Sequence, residues 1–370
     1  MNAKTNIVVH GLTRINLVWL RLINNVKDLY SDLRATQQRI RIMRFAVGVT
    51  LATALSSAFE WPLAFLTPIL TSLILALPIP MPTLKAGLTN MFYTVLAFFL
   101  GLSFTLFLLP FPLAYAPMLA LVLFYLYYTV NRGGSFWLVL MSIMAVLILP
   151  LLGNANEALA MGFAFGFVLS GWITILMIWL AHLLVPDPAG SPLFPEKAGM
   201  QAGYSMPAAQ AALKSMIVVL PLVLVFITFE LSSQLVVMIF AAIFTLSPDI
   251  AKGKATGIAS MKSTVIGGLY AFIFYHLLVA VPEYHFYVLL MFLTTIHFGS
   301  RIFSENPSAK YYASAFTTLF VLVNSSLGAG ANFTYEFFLR FLFIMLATIY
   351  VVFGLMVFER YWPQKDNQGT

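Results

Sequence analysis

Residues 59–78 read FEWPLAFLTPILTSLILALP, an apolar run with Glu60 near its start. Glu60 is the only formal charge between Arg44 and Lys85. Moved 170 positions along, the stretch falls on residues 229–248, FELSSQLVVMIFAAIFTLSP. Phe59 meets Phe229, Glu60 meets Glu230, Ile69 meets Ile239 and Pro78 meets Pro248 without a gap. The register carries on through Gly87/Gly257, Met91/Met261, Thr94/Thr264, Val95/Val265, Phe104/Phe274 and Pro112/Pro282. Arg44 falls on Lys214, and after a six-residue slip Asn156 falls on Asn332. Ile and Val coincide readily in apolar chains. Glu on Glu, Pro on Pro and Gly on Gly at one offset do so rarely. The sequence is read as a tandem duplication.

Composition fixes the class of each copy. The chain has 370 residues, of which 61% are hydrophobic and 9% charged, and its mean hydropathy is +0.92. A soluble domain carries roughly 25% charged residues. From Phe45 to Leu184 the formal charges are Glu60, Lys85, Arg132 and Glu157 alone. Apolar runs of about 20 residues suit the core of a bilayer. The runs are continuous and do not alternate, which excludes a β-barrel. The expectation is an all-α polytopic membrane protein in contact with lipid throughout.

Twelve spans are expected, near 42–59, 62–80, 86–109, 113–130, 136–152 and 157–184, then 211–229, 232–248, 257–280, 284–299, 310–326 and 334–358. The organisation is a basic amphipathic segment (1–41), a first six-helix repeat (42–184), a linker (185–210), a second six-helix repeat (211–358) and a tail (359–370). The connecting segments alternate in charge. Lys85, Arg132, Lys252, Lys254, Arg301, Lys310 and the basic ends fall on one side, and Glu60, Glu157, Glu230, Glu283 and Glu336 on the other. Lys and Arg sort to the cytoplasm, so both termini are expected there. An even number of helices per unit makes the repeats parallel, related by an axis along the membrane normal, with a substrate path between them.

Cysteine is absent, so there is no disulfide framework and no thiolate metal site. The first 40 residues are basic and lack an apolar run before a small-residue cleavage site, so no cleaved leader is expected. The sequence pI of about 9.5 follows from positive-inside sorting and does not point to nucleic acid. No phosphate loop, HExxH or paired-His spacing is present, and no enzyme, cofactor or metal is expected.

Several residues have two readings. Arg44 and Lys214, near matched helix ends, either snorkel to the interface or draw an organic anion together with Lys85 and Lys262. Glu60 and Glu230 are hydrated turns or proton-coupling carboxylates, and His276 is a bonded span histidine or a proton relay. Gly87, Met91 and Thr94 lie on one helix face, matched by Gly257, Met261 and Thr264, which makes a packing seam or a lining. Pro78 and Pro248 close helices and fix elbows.

The run RFAVGVTLATALSSAFEWPLAFLTPILTSLILALP followed by Lys85-Ala86-Gly87 sets a basic residue at a span's start, then an acid–aromatic–proline turn, a proline-ended span and Lys-x-Gly. It resembles the fusaric acid resistance protein-like superfamily, which includes aromatic acid exporters. The resemblance implies efflux of aromatic carboxylic acids or similar toxic organic anions from the inner membrane of a Gram-negative bacterium. It also implies a periplasmic membrane fusion (adaptor) protein and an outer-membrane channel as partners. The larger exporters carry a cytoplasmic domain where this chain has only residues 185–210. A proton-driven exporter, a passive anion channel like the similar six-helix unit of plant malate channels, and a non-transporting envelope scaffold are the three classes in view. An oligomer is compatible with each.

Overall fold

The structure, a computed structural model, describes residues 35–77, 81–187, 203–229, 250–329 and 333–361. Eleven helices run through them. α1 is Ala35–Phe59. It is followed by α2 (Leu66–Leu75), α3 (Leu84–Leu108), α4 (Pro112–Asn131), α5 (Phe136–Ala155), α6 (Glu157–Leu184) and α7 (Met206–Thr228). The remaining four are α8 (Ile250–Ala280), α9 (Tyr284–Ile302), α10 (Ala309–Ala329) and α11 (Phe333–Tyr361). The described residues form no strand.

Seven of these helices are long and apolar enough to cross a bilayer, α1, α3 to α7 and the Ile258–Ala280 part of α8. Their packing is what lipid demands. On α3 the large apolar side chains Phe92, Phe99 and Phe107 are exposed, while Gly87, Thr94, Gly101 and Thr105 are buried. Water would reverse that order, whereas between lipid-borne helices small residues mediate contact. The buried hydroxyls are satisfied within the helix: Thr94 donates to Asn90 O at 2.9 Å and Thr105 to Gly101 O at 2.8 Å. The protein is a polytopic all-α membrane protein.

The chain departs from the expected spans at α2. Its ten residues rise about 15 Å, half the hydrocarbon core. The expected span 62–80 is an apolar run in which residues 62–65 form a turn before the helix begins. At the other expected elbows polar caps set the boundaries. The Thr83 hydroxyl accepts from Ala86 N–H, Ser135 from Leu138 N–H and Ser205 from Ala208 N–H. Asn156 alone separates α5 from α6, in extended backbone, with its side chain accepting from Ala158 N–H. The polar ends of α9 (Tyr284, His285; Ser300, Arg301) and α10 (Lys310, Tyr311) shorten their apolar stretches, and neither joins the seven.

Helix pairing repeats along the chain. α3 packs on α5 and α6, and α8 packs on α10 and α11. α4 lies along α7. α9 lies antiparallel along α1: the Tyr284 hydroxyl donates to Ala54 O at 2.9 Å, Thr50 meets Thr295 at 3.3 Å, and Gly299 faces Ile42 and Phe45. The cores mix early and late helices. One joins Leu119 and Leu123 of α4 and Leu147 of α5 to Val219 of α7 and Val351 of α11. Another joins Phe45 of α1 and Ile178 of α6 to Phe274 of α8, Phe298 of α9 and Phe316 of α10. A third, with Phe98, Met141 and Phe167, lies within α2, α3, α5 and α6.

Candidate functional site

The α1–α2 turn is the most constrained backbone among the described residues. Glu60 has φ +46° and Leu63 φ +60°, the two non-glycine residues with positive φ there. An L-residue in that region costs about 1–2 kcal/mol, and such strain persists only where surroundings enforce it. Here α6 enforces it. The Ser170 hydroxyl donates to Leu63 O at 3.0 Å and accepts from Trp61 Nε1–H at 3.0 Å. Ser170 O accepts from Thr67 (3.3 Å) and Thr174 (2.8 Å), all of them fully buried. Gly166 lies under the turn, where a Cβ would collide with Pro62 O.

Gly166 and Ser170 are nine and thirteen residues in from Glu157, the first residue of α6. The turn is therefore recessed by roughly 14–20 Å relative to that helix end. It was expected at the rim. Above it opens a cavity of about 550 Å³. The turn and the end of α1 supply Ser56, Ser57, Glu60 and Trp61; α9 supplies Tyr284 and Tyr287; α8 supplies Leu278; α10 supplies Phe320 and Asn324. Tyr287 is hydrogen-bonded to Ser57, whose own hydroxyl donates to Thr53 O at 2.9 Å. Among the described residues the Glu60 carboxylate makes no hydrogen bond or ion pair, and no Lys, Arg or His lines the cavity. The described lining offers aromatic rings, several hydroxyl and amide groups and one negative charge.

Arg44 sits in the N-terminal half of α1, away from the turn, and is 5% exposed. Its Nε donates to Val185 O at 3.0 Å and its Nη2 pairs with Asp187 at 2.7 Å. It clamps the segment leaving α6 onto α1. His182, one turn back, is buried with its Nδ1 at 2.9 Å from Ile178 O. Lys214 is 4% exposed at the matched position of α7. Neither cation is presented to solvent as a snorkelling side chain would be.

The other sequence candidates do not gather at either place. Lys85 is exposed on α3 beside Leu88 and Phe92. Lys262 is exposed on α8 with its Nζ 5.5 Å from the Tyr311 ring, which Lys310 also approaches at 5.2 Å. His276 is exposed on α8, edge-on to Phe272 at 4.3 Å, outside the cavity. Gly87, Met91 and Thr94 form a seam with α6: Gly87 faces the Trp179 ring, Met91 O accepts from Trp172 Nε1–H at 3.2 Å, and Thr94 meets Gly171 and accepts from Trp137 Nε1–H at 3.0 Å. Thr264 is buried and bonded to Ser260 O, Met261 is half-buried, and Gly257 falls in the backbone of α8. Pro78, Glu230 and Pro248 lie outside the described residues.

Sequence reading missed Tyr284, Tyr287 and Asn324 as partners of Glu60. Asn324 gave a signal as an amide inside an apolar run, and the two tyrosines are spaced i, i+3 at a helix start. Nothing in the sequence tied them to a turn more than 200 residues earlier.

No curated protein and no solved structure matches the chain. Over residues 41–181, which take in most of α1 through most of α6, it matches the model of one family, the protein of unknown function DUF2955.

Proposed function

We propose that the chain is an exporter of small aromatic organic compounds, built as two parallel six-helix repeats in a bacterial inner membrane with both termini in the cytoplasm. The single observation behind transport is the recessed cavity, which lies where the α1–α2 turn meets α8, α9 and α10. Substrate sites of duplicated transporters lie at such boundaries between halves. The duplication is supported by the 170-residue register and by the pairing. With α1 matched to α7 and α3–α6 to α8–α11, the contact of α4 with α7 has its counterpart in α9 with α1. The family match, which covers the first six helices, fits a six-helix unit.

Lys85, Arg132, Arg301 and Lys310 versus Glu60, Glu157 and Glu283 give the orientation. Energy would come from the proton gradient, with Glu60 the coupling carboxylate. The resemblance puts aromatic carboxylic acids and similar organic anions first as substrates, with Lys85 and Lys262 as the exposed cations to attract them. It also supplies the adaptor and outer-membrane channel as partners. The test is accumulation of benzoate, and of a matched aromatic amine, in cells lacking other exporters. Cells making the protein should accumulate less of at least one, and a protonophore should erase the difference. Export that survives the protonophore indicates a channel, and equal accumulation of both compounds with and without the protein refutes transport. Labelling of a cysteine placed at position 156 from the cytoplasmic side alone would overturn the orientation.

A further inference from the structure

We propose that the Glu60 cavity is a binding site for a protonated aromatic amine. Its role in the cell rests on the transport reading, but the site itself stands on geometry. Among the described residues Glu60 is the one formal charge lining the space, and no described cation lines it to neutralise that charge. An organic anion entering would meet like charge, whereas an ammonium would meet its counter-ion. The walls suit the rest of such a ligand. Trp61, Tyr284, Tyr287 and Phe320 line it with aromatic rings, whose faces attract both a ring and a cation. Asn324 adds an amide oxygen that can accept a further ammonium hydrogen. About 550 Å³ holds a two-ring molecule with a short side arm.

The backbone strain has a purpose under this reading. Positive φ at Glu60 and again at Leu63 turns the chain back before α2, and Ser170 and Gly166 hold it so. The backbone that carries the carboxylate is thereby held in place instead of on a free loop. The cation class is distinct from the organic anions that the resemblance implies, and the aromatic ring is common to both.

The experiment uses the full chain purified in nanodiscs and three probes that share a ring and differ in charge: tryptamine, tryptophol and indole-3-acetate. Equilibrium dialysis should give tryptamine binding about tenfold tighter than tryptophol, with indole-3-acetate weakest. Glu60→Gln should bring tryptamine to the level of tryptophol and leave tryptophol within about twofold. Glu60→Asp, which keeps the charge, should restore part of the preference. Equal or tighter binding of the acid overturns the proposal, as does an unchanged charge order in Glu60→Gln or no binding of any probe. Vesicle transport of the same probes separates this from the transport reading. The charge order in binding without transport keeps the site and removes the exporter, and transport without the charge order does the reverse.

Discussion

Replacing Glu60 by Asn separates the turn's strain from its charge. Glu60 holds φ +46°, which costs an L-residue about 1–2 kcal/mol. Asn tolerates that region better than Glu because its short amide bonds locally. The side chain being removed is exposed and makes no hydrogen bond or ion pair among the described residues. Little is lost from the folded state, so Glu60→Asn should raise stability by about 0.5–1 kcal/mol. Glu60→Ala keeps the strain and loses the charge, and should leave stability within about 0.5 kcal/mol of the wild type. Glu60→Gly relieves the strain but enlarges the entropy of the unfolded chain by a similar amount, so it should fall between the two. All three lose the carboxylate and should bind tryptamine alike. Reversible unfolding by SDS in mixed micelles gives the stabilities, and dialysis gives the binding. A fall in stability for Asn relative to Ala would refute the strain reasoning, since it would mean that the Glu60 backbone is comfortable. Different tryptamine affinities among the three would refute the assignment of binding to the charge.

Three further outcomes follow from the same structure. Ser170→Ala removes the donor to Leu63 O and the acceptor of Trp61 N–H at a fully buried position, and should cost about 1–3 kcal/mol in the same unfolding assay. Gly166→Ala drives a methyl into Pro62 O, a backbone atom that cannot swing aside, and should cost about 1–3 kcal/mol while also weakening tryptamine binding because the turn is displaced. Asp187→Ala leaves the buried Arg44 guanidinium with Val185 O but without its carboxylate; since Asp187 is 38% exposed, screening limits the loss to about 1–2 kcal/mol, and protease cutting within 188–202 should become faster.

The membrane class was legible because four charges from Phe45 to Leu184 cannot cover a soluble core. The tight turn before Pro62 was legible from acid, aromatic and proline in succession. That Gly87, Met91 and Thr94 share one helix face was legible from their spacing. The shortness of α2 was hidden: Pro62 to Pro80 is apolar throughout, and apolarity alone does not say where the backbone enters the helix. The positive φ at Glu60 and Leu63 was hidden for a related reason. Glycine or asparagine normally announces it, and here neither is present, since α6 imposes the conformation through Ser170 and Gly166. The pairing of Arg44 with Asp187 was hidden by the distance between them along the chain.

On the proposed duplication, the distribution of tryptophan sets the two halves apart. Trp61, Trp137, Trp172 and Trp179 all lie between α1 and α6, and residues 203–361 contain none. Each of the four indole N–H groups is spent on a bond within the first half: to Ser170, Thr94, Met91 O and Pro82 O. In a bilayer an unpaired donor is costly, so these bonds fix α6 to α3, to the turn before α2 and to the residue Pro82 ahead of α3, and fix α5 to α3. At the cavity the second half contributes Tyr284, Tyr287, Phe320 and Asn324, and the matched first-half positions of the two tyrosines are Ala114 and Pro117. The counterparts of Ser56 and Ser57 are Phe226 and Ile227, both apolar. At the described cavity the turn supplies the charge, and α9 and α10 supply the aromatic side chains Tyr284, Tyr287 and Phe320.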